Sequence, residues 1–162
     1  MIEQVMVDKW GDPWRVVCDF RVFGVPRPGG SKRAVRNKHT GKIMMIDASK
    51  HVATWRQDVK AAAMEAWPGE LIGEEIYLDV TYGLLRPKGH YGTGRNSAIL
   101  KDSAPKYPHG TPDLGKLDRS TEDALTGTIY TDDKQIVGHR TDKQYLAAGE
   151  RPGAFVKVMV RK

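Results

Sequence analysis

Three aspartates in the second half of the chain have the residue type and spacing expected of a metal centre. Asp113 precedes an amphipathic run, and Asp132 and Asp133 follow about 20 residues later. A helix of about 12 residues rises roughly 18 Å, and a chain that turns at its end and returns as a strand could bring the second group beside the first. Carboxylates held together repel one another unless a cation neutralises them, and Mg²⁺ or Mn²⁺ suits oxygen ligands. The pattern predicts metal-dependent phosphodiester hydrolysis, although Asp113 alone is also typical of a helix cap.

The histidines and the single cysteine offer no comparable site. Cys18 lies in an alternating apolar run, which predicts buried packing, and one cysteine excludes both an internal disulfide and a thiolate-rich metal site. The five histidines are scattered, without a pair at the spacing of helical zinc ligands. Oxygen ligands therefore remain the better basis for a metal site.

The charge balance favours an anionic partner. The chain has a formal net charge of +6 and a pI of about 9.4, which attracts polyanions and releases their counterions, although so modest an excess also serves solubility. No apolar run approaches the roughly 18 residues of a membrane span, and residues 1–4 lack the character of a signal peptide. We therefore expect a soluble, cytoplasmic protein with no membrane partner.

Strands are predicted where apolar residues alternate with polar ones. Alternation over residues 16–23 and 76–84 predicts two strands, each with one face on the core. Two shorter extended runs, residues 135–140 and 154–161, close the chain. These segments are sufficient for a small mixed β-sheet.

Helices are predicted where apolar residues recur at helical spacing. Ser49 offers an N-cap for a helix that Pro68 stops, and a second helix over residues 114–125 ends at Gly127. The sum is one α+β domain over residues 1–162, a small mixed β-sheet packed with two main helices. The second helix lies between the two groups of aspartates and must position both.

Two basic stretches lack the apolar residues needed to bury themselves. Residues 26–42 and 86–112 are predicted to be loops, rich in cations and glycine, that face water or a ligand. Such loops suit a DNA phosphate backbone, which is contacted without reading bases, whereas the simpler alternative is a pair of solvated loops. The predicted DNA contacts in them are Lys32, Arg33, Arg36, Lys38, Arg86, Lys88 and Arg95.

The acidic segment resembles the RusA family of Holliday junction resolvases. Pro-Asp-Leu-Gly-Lys-Leu at residues 112–117, Asp-Ala-Leu-Thr-Gly at 123–127 and Asp-Asp-Lys-Gln-Ile-Val at 132–137 follow the order of that family's motifs. Phe-Gly-Val-Pro at 23–26 and the helix with Trp55 also stand where the family has a glycine-proline turn and a tryptophan-bearing helix. The likeness covers most of the chain, and its specific part lies within the three acidic motifs.

The resemblance implies a RusA-like fold and a Mg²⁺-dependent homodimer that cuts four-way junctions and other branched DNA with paired nicks in a bacterial or phage-infected cell. Asp113 and Asp133 match catalytic aspartates of the family, and Arg119 stands where it has a basic residue that could hold the scissile phosphate. Lys116 matches a position expected to touch phosphate. Asp132 and Asp123 match recurrent acids, for which a direct catalytic or metal-binding role and a role as turn and helix-surface groups both remain open.

Gly115 departs from the family, whose second catalytic aspartate belongs at this position. One alternative is a branched-DNA-binding protein with impaired catalysis; the other is an enzyme in which Glu122, or less directly Asp118, replaces the missing carboxylate. At about 100° per residue, Gly115, Arg119 and Glu122 fall on one stripe of the helix, with Asp118 about 60° away. Glu122 is therefore predicted to be a catalytic metal ligand, although a surface pair with Arg119 or with a nearby lysine would also explain it. A third alternative, a general nucleic-acid-binding module, leaves the order of the three motifs unexplained.

Overall fold

A five-stranded sheet is the frame of the protein, which a computed structural model describes over residues 5–30, 32–47 and 50–162. The strand order is β1-β2-β7-β5-β6, with β5 and β6 parallel and the other neighbours antiparallel. The predicted class, a single α+β domain with a mixed sheet and two main helices, is confirmed. In chain order the elements are β1 (Val5–Val7), β2 (Pro13–Phe23), β3 (Lys32–Arg36), β4 (Ile43–Asp47), α1 (Val52–Ala66), β5 (Ile76–Leu84), α2 (Leu114–Leu125), β6 (Ile136–Tyr145) and β7 (Gly153–Arg161).

The apolar face of the central strand β5 forms the middle of the core, because every second side chain from Ile76 to Tyr82 is fully buried. Both helices pack on this face, α1 through Trp55 and α2 through Leu117. Trp55 Nε1 donates a hydrogen bond to Thr121 Oγ1 over 3.3 Å, so a buried polar contact joins the two helices in addition to their packing. The predicted periodicities of β5 and both helices are thereby confirmed.

Helix α2 begins and ends where its sequence predicts. Asp113 is the N-cap, and its side chain accepts a hydrogen bond from the backbone N–H of Lys116 over 3.4 Å. Thr126 is the C-cap, and Gly127 follows at φ +72°, a left-handed conformation that glycine adopts without strain. The interpretation of Asp113 as a helix cap is therefore confirmed.

Helix α1 begins at Val52, with His51 at the N-cap position. The predicted cap, Ser49, lies outside the described residues, as do residues 1–4, which entered the argument about a signal peptide. Within the described ranges no helix is both long enough and apolar enough to cross a membrane.

Residues 26–42, predicted as a loop, contain one strand of a β-hairpin. Strand β3 pairs with β4 in antiparallel register, and the side chain of Asn37 accepts hydrogen bonds from the backbone N–H groups of His39 and Thr40 in the connecting turn. The loop prediction was wrong here because every residue of β3 is exposed, so no buried face imposes an alternation of hydropathy. Residues 86–112 do form a long connection, with two single turns of 3-10 helix.

Candidate active site

Asp113 lies on the surface at the start of α2, and the segment before it is held by a lysine of β6. The Nζ atom of Lys143 donates hydrogen bonds to the carbonyl oxygens of Gly110 and Pro112 over 2.6 and 2.8 Å. Both acceptors are within three residues of Asp113, so these charge-assisted bonds restrain the backbone that carries the carboxylate. Sequence reasoning missed Lys143, because no pattern distinguishes it from a surface lysine.

The position of Gly115 is exposed and open. A Cβ atom built on Gly115 has one neighbour within 4 Å, Asp113 Oδ1 at 3.7 Å. A side chain therefore fits there without a clash and would stand beside the carboxylate of Asp113. Glu122, the predicted substitute, is seven residues further along α2, a rise of roughly 10 Å.

Glu122 faces β6 instead of the open position. Its Oε1 atom lies 3.3 Å from Nδ1 of His139, and Nε2 of the same ring lies 3.8 Å from Asp118 Oδ1. Burial raises the pKa of Glu122; a positive charge on His139 opposes that shift, and the charges of Asp118 and Asp133 add to it. Asp118, Asp133 and His139 thus surround the carboxylate of Glu122, and we call these four residues the α2–β6 cluster.

Asp118 is the buried anchor of this cluster. The residue is only 8% exposed, and its Oδ1 atom accepts hydrogen bonds from Tyr82 Oη over 3.0 Å and from Thr141 Oγ1 over 2.9 Å. A buried carboxylate with two hydroxyl donors is satisfied by the protein itself. Asp118 therefore joins α2 to β5 and β6, and does not reach the open position at Gly115.

Arg119 lies on α2 beside the turn that precedes β3, away from His139. A Cβ atom built on Gly30 would approach Arg119 Cδ to 2.8 Å, so the arginine runs along the turn that precedes β3. The turn is docked on α2, because the N–H of Gly29 donates to the carbonyl oxygen of Lys116 over 2.8 Å. Viewed along the helix, Glu122 is about 40° from Asp118 but about 60° from Arg119. The alternative interpretation of Glu122, a surface pair with Arg119, is not what the structure shows, because Glu122 pairs with His139.

The two acids with open roles, Asp132 and Asp123, have clear structural partners. The side chain of Asp132 caps the 3-10 turn Asp133–Gln135 by accepting a hydrogen bond from the N–H of Lys134 over 3.0 Å, a bond that lowers the pKa of Asp132. Asp123 forms an ion pair with Arg56 of α1 at 2.7 Å. The interpretation of Asp132 as a turn residue and of Asp123 as a helix-surface residue is confirmed, and a further role for either stays a prediction.

The predicted metal ligands are divided between the two ends of α2. Asp113 caps the first turn, whereas Asp133 lies close enough to Glu122, nine residues further along, to raise its pKa. Nine residues of helix correspond to a rise of roughly 14 Å. Over residues 5–30, 32–47 and 50–162, no group of three or more histidine, cysteine or acidic side chains is close enough to hold a metal ion. The oxygen ligands suit Mg²⁺ in type, but the described residues of one chain do not bring three of them together, and the metal site stays a prediction.

Most of the residues predicted to contact DNA are exposed to solvent. The exception is Arg86, which is half-buried: its guanidinium donates to the carbonyl oxygen of Pro105 over 2.9 Å and lies 4.3 Å from the ring centre of Tyr145. Arg86 therefore holds the long connection in place. The exposed predicted contacts are Lys32, Arg33, Arg36, Lys38, Lys88, Arg95 and Lys116.

Comparison with known proteins adds a family to this geometry. The model of a family described as "Endodeoxyribonuclease RusA" matches residues 24–159, a stretch that contains both helices and all the candidate residues above. The chain is also 32% identical over 147 residues to the uncharacterized protein YqaN of Bacillus subtilis (strain 168), an alignment that covers 88% of this chain and 94% of that relative.

Proposed function

The chain belongs to the RusA family of endodeoxyribonucleases, and from that premise we propose that it is a structure-selective nuclease that resolves Holliday junctions and other branched DNA with paired nicks. The observation that supports this most is the position of Asp113, Arg119 and Asp133 inside the matched stretch, all carried by α2 and the turn that follows it. Holliday junction resolvase activity is what membership of this family implies.

We propose Mg²⁺ as the metal, with Mn²⁺ as a substitute, because the family is metal-dependent and the candidate ligands are carboxylates. When bound, such an ion activates water and offsets negative charge on the phosphate. Asp113 and Asp133 lie at opposite ends of α2, so one chain leaves the ligand set incomplete. We therefore propose that the protein acts as a homodimer in which a second copy completes the set.

The chain's own residues supply substrate binding and restraint. Arg119 and Lys116 are both exposed on the N-terminal half of α2, where they are placed to contact a phosphate near Asp113. Lys143 fixes the segment that carries Asp113 through its two carbonyl contacts. Glu122 is proposed to act beside Asp133, its neighbour, and not as a replacement for the carboxylate missing at Gly115.

The β3–β4 hairpin is proposed to follow the DNA backbone. Its four predicted contacts, Lys32, Arg33, Arg36 and Lys38, are exposed on a projecting two-stranded ribbon. Contacts of cations with phosphates weaken as salt rises and do not distinguish base sequence. Selectivity for branched DNA would then depend on the shape of the junction and its deformation by a dimer.

The test is cleavage of a labelled synthetic four-way junction. We expect symmetric nicks in Mg²⁺ or Mn²⁺, and Asp133→Asn should slow cutting by more than roughly 100-fold while leaving the gel shift of the junction intact. The matched control is Asp19→Asn, at an exposed position of β2. If Asp133→Asn cuts as fast as Asp19→Asn, the assignment of Asp133 is wrong.

One observation favours a second candidate function, a branched-DNA-binding protein with impaired catalysis. The open space at Gly115 is left unfilled by Glu122 and Asp118, which contact His139. This candidate predicts a retarded junction in a gel, no cut product and no metal uptake by calorimetry. A gain of cutting in Gly115→Asp would show that the rest of its site is intact.

A further inference from the structure

A cleft of about 500 Å³ opens beside Asp113. Three segments supply most of its lining: the turn after β2 (residues 25–28), the end of β5 with the residues that follow (84–87), and the segment before α2 (108–113). All three contribute prolines, and Leu85 is 57% exposed on its wall. This volume and a mainly apolar lining are typical of sites that enclose a small organic group.

The rim of the cleft is cationic where it meets the candidate active site. Arg27 and Lys116 lie there with Asp113, and the buried Nε atom of Arg27 has no hydrogen-bond partner within the described residues. The backbone of Arg27 is fixed, because its carbonyl oxygen accepts a hydrogen bond from Ser120 Oγ over 2.6 Å. The positive charges of Arg27 and Lys116 attract an anion, and a guanidinium forms strong charge-assisted hydrogen bonds with phosphate oxygens. The rim therefore suits an anionic group, whereas the walls suit an apolar one.

A nucleotide combines these two properties. We propose that the cleft receives one unstacked base of the bound DNA, with the phosphate of that nucleotide held by Arg27 and Lys116 beside Asp113. This inference rests on the proposed function and deepens it, since it names the part of the substrate that the apolar walls contact. An apolar segment of a second protein copy would fill the walls but leave both cations without a partner.

The free energy needed to unstack a base and place it in the cleft is lowest at the branch point of a junction. Base pairs at the exchange point stack on fewer neighbours than pairs inside a duplex, and unstacking costs least where stacking is already incomplete. Contact of a base with apolar and aromatic side chains repays part of that cost. Tyr145 also lines the cleft, with Arg86 4.3 Å from the centre of its ring, so the walls offer one aromatic side chain beside the aliphatic ones.

The experiment uses four-way junctions that carry 2-aminopurine at one branch-point position at a time, bound to the full-length protein in EDTA so that no strand is cut. The fluorescence of 2-aminopurine rises when the base leaves its stack. We expect a rise at one position, and we expect Leu85→Gln to lower the unstacked population about tenfold by weakening the apolar wall. The matched control is Leu71→Gln, since Leu71 is 45% exposed and lies outside the cleft; it should leave the rise unchanged.

Parallel gel shifts and sedimentation separate the outcomes. A retarded junction with no rise at any position overturns the cleft assignment alone, as does an equal loss in both variants. Loss of dimer mass in Leu85→Gln also overturns it, because the cleft would then be a protein interface. A junction that is not retarded contradicts both this inference and the proposed function. A rise in 2-aminopurine fluorescence, combined with no cutting when Mg²⁺ is added, supports base binding in the cleft and contradicts the proposed cleavage.

Discussion

Replacement of Gly115 tests whether the start of α2 is part of a metal site. The position is exposed and its surroundings are open, so neither Gly115→Ala nor Gly115→Asp meets a steric barrier. Without metal, Gly115→Ala should stabilise the protein by about 0.5–1 kcal/mol, because glycine loses more backbone entropy in a helix than alanine. For a chain of this size the melting temperature should rise by about 1–4 °C.

Gly115→Asp adds two opposing effects. A carboxylate in the first turn of α2 interacts favourably with the helix dipole by about 0.3–1 kcal/mol. The new carboxylate would also lie close to that of Asp113, whose Oδ1 atom is 3.7 Å from the built Cβ, and the two negative charges would repel one another. The metal-free variant should therefore be no more stable than Gly115→Ala.

Mg²⁺ separates the two variants. A carboxylate pair at residues 113 and 115 that binds Mg²⁺ gains about 1.4 kcal/mol at a concentration ten times the Kd, which corresponds to a further rise of about 3–6 °C in melting temperature. The assay is thermal unfolding followed by circular dichroism across a Mg²⁺ titration, with Gly115→Ala as the matched control. Equal Mg²⁺-dependent shifts in Gly115→Asp and Gly115→Ala would refute the idea that this end of α2 contributes to a metal site.

Three further predictions concern the restraints around the site. Lys143→Met should raise the Mg²⁺ concentration for half-maximal cutting by more than roughly tenfold, because the segment carrying Asp113 loses two charge-assisted hydrogen bonds. Lys143→Arg should raise that concentration less, and an unchanged Mg²⁺ titration in Lys143→Met would contradict the proposed restraint. Thr141→Val should lower the free energy of unfolding by about 1–2 kcal/mol in urea, since the buried Asp118 loses a donor, whereas Thr93→Val, at an exposed position, should not. Burial raises the pKa of the Cys18 thiol to about 11, so we expect it to resist a disulfide reagent at pH 8 until guanidinium unfolds the chain, and rapid labelling of the folded protein would show that it is accessible.

The parts of the fold that bury one face could be predicted from the sequence. Strand β5 and helix α2 have apolar side chains at periods of 2 and 3.6 residues because each covers the same core, and burial imposes the pattern. Strand β3 has no buried residue, so its pairing with β4 left no trace in hydropathy. Strand β6 extends to Tyr145, five residues beyond the predicted extended run, because its second half pairs with β5 through polar residues.

The local positions of the candidate residues could be predicted from the sequence, but their tertiary contacts could not. Motif order placed Asp113, Arg119 and Asp133 correctly on α2 and the following turn, since these are local features of the chain. The pairing of Glu122 with His139 depends on how β6 packs along α2, a tertiary contact that neither residue's neighbours encode. Strand β6 returns along α2, so its start lies beside the last turn of the helix and its later residues lie beside the first turn. The charge of Asp133 therefore acts on Glu122, whereas Lys143 donates a hydrogen bond to the carbonyl oxygen of Pro112, just before the helix.

Cleavage of a four-way junction by the unaltered protein tests the central claim most directly. A labelled junction and a linear duplex of the same sequence would be incubated with the protein in Mg²⁺ and in Mn²⁺, and the products resolved on a denaturing gel. Metal-dependent, symmetric nicks in the junction, with the duplex intact, are the predicted result. A junction that is retarded in a native gel yet remains uncut in both metals, or a duplex that is cut equally well, would contradict a structure-selective nuclease.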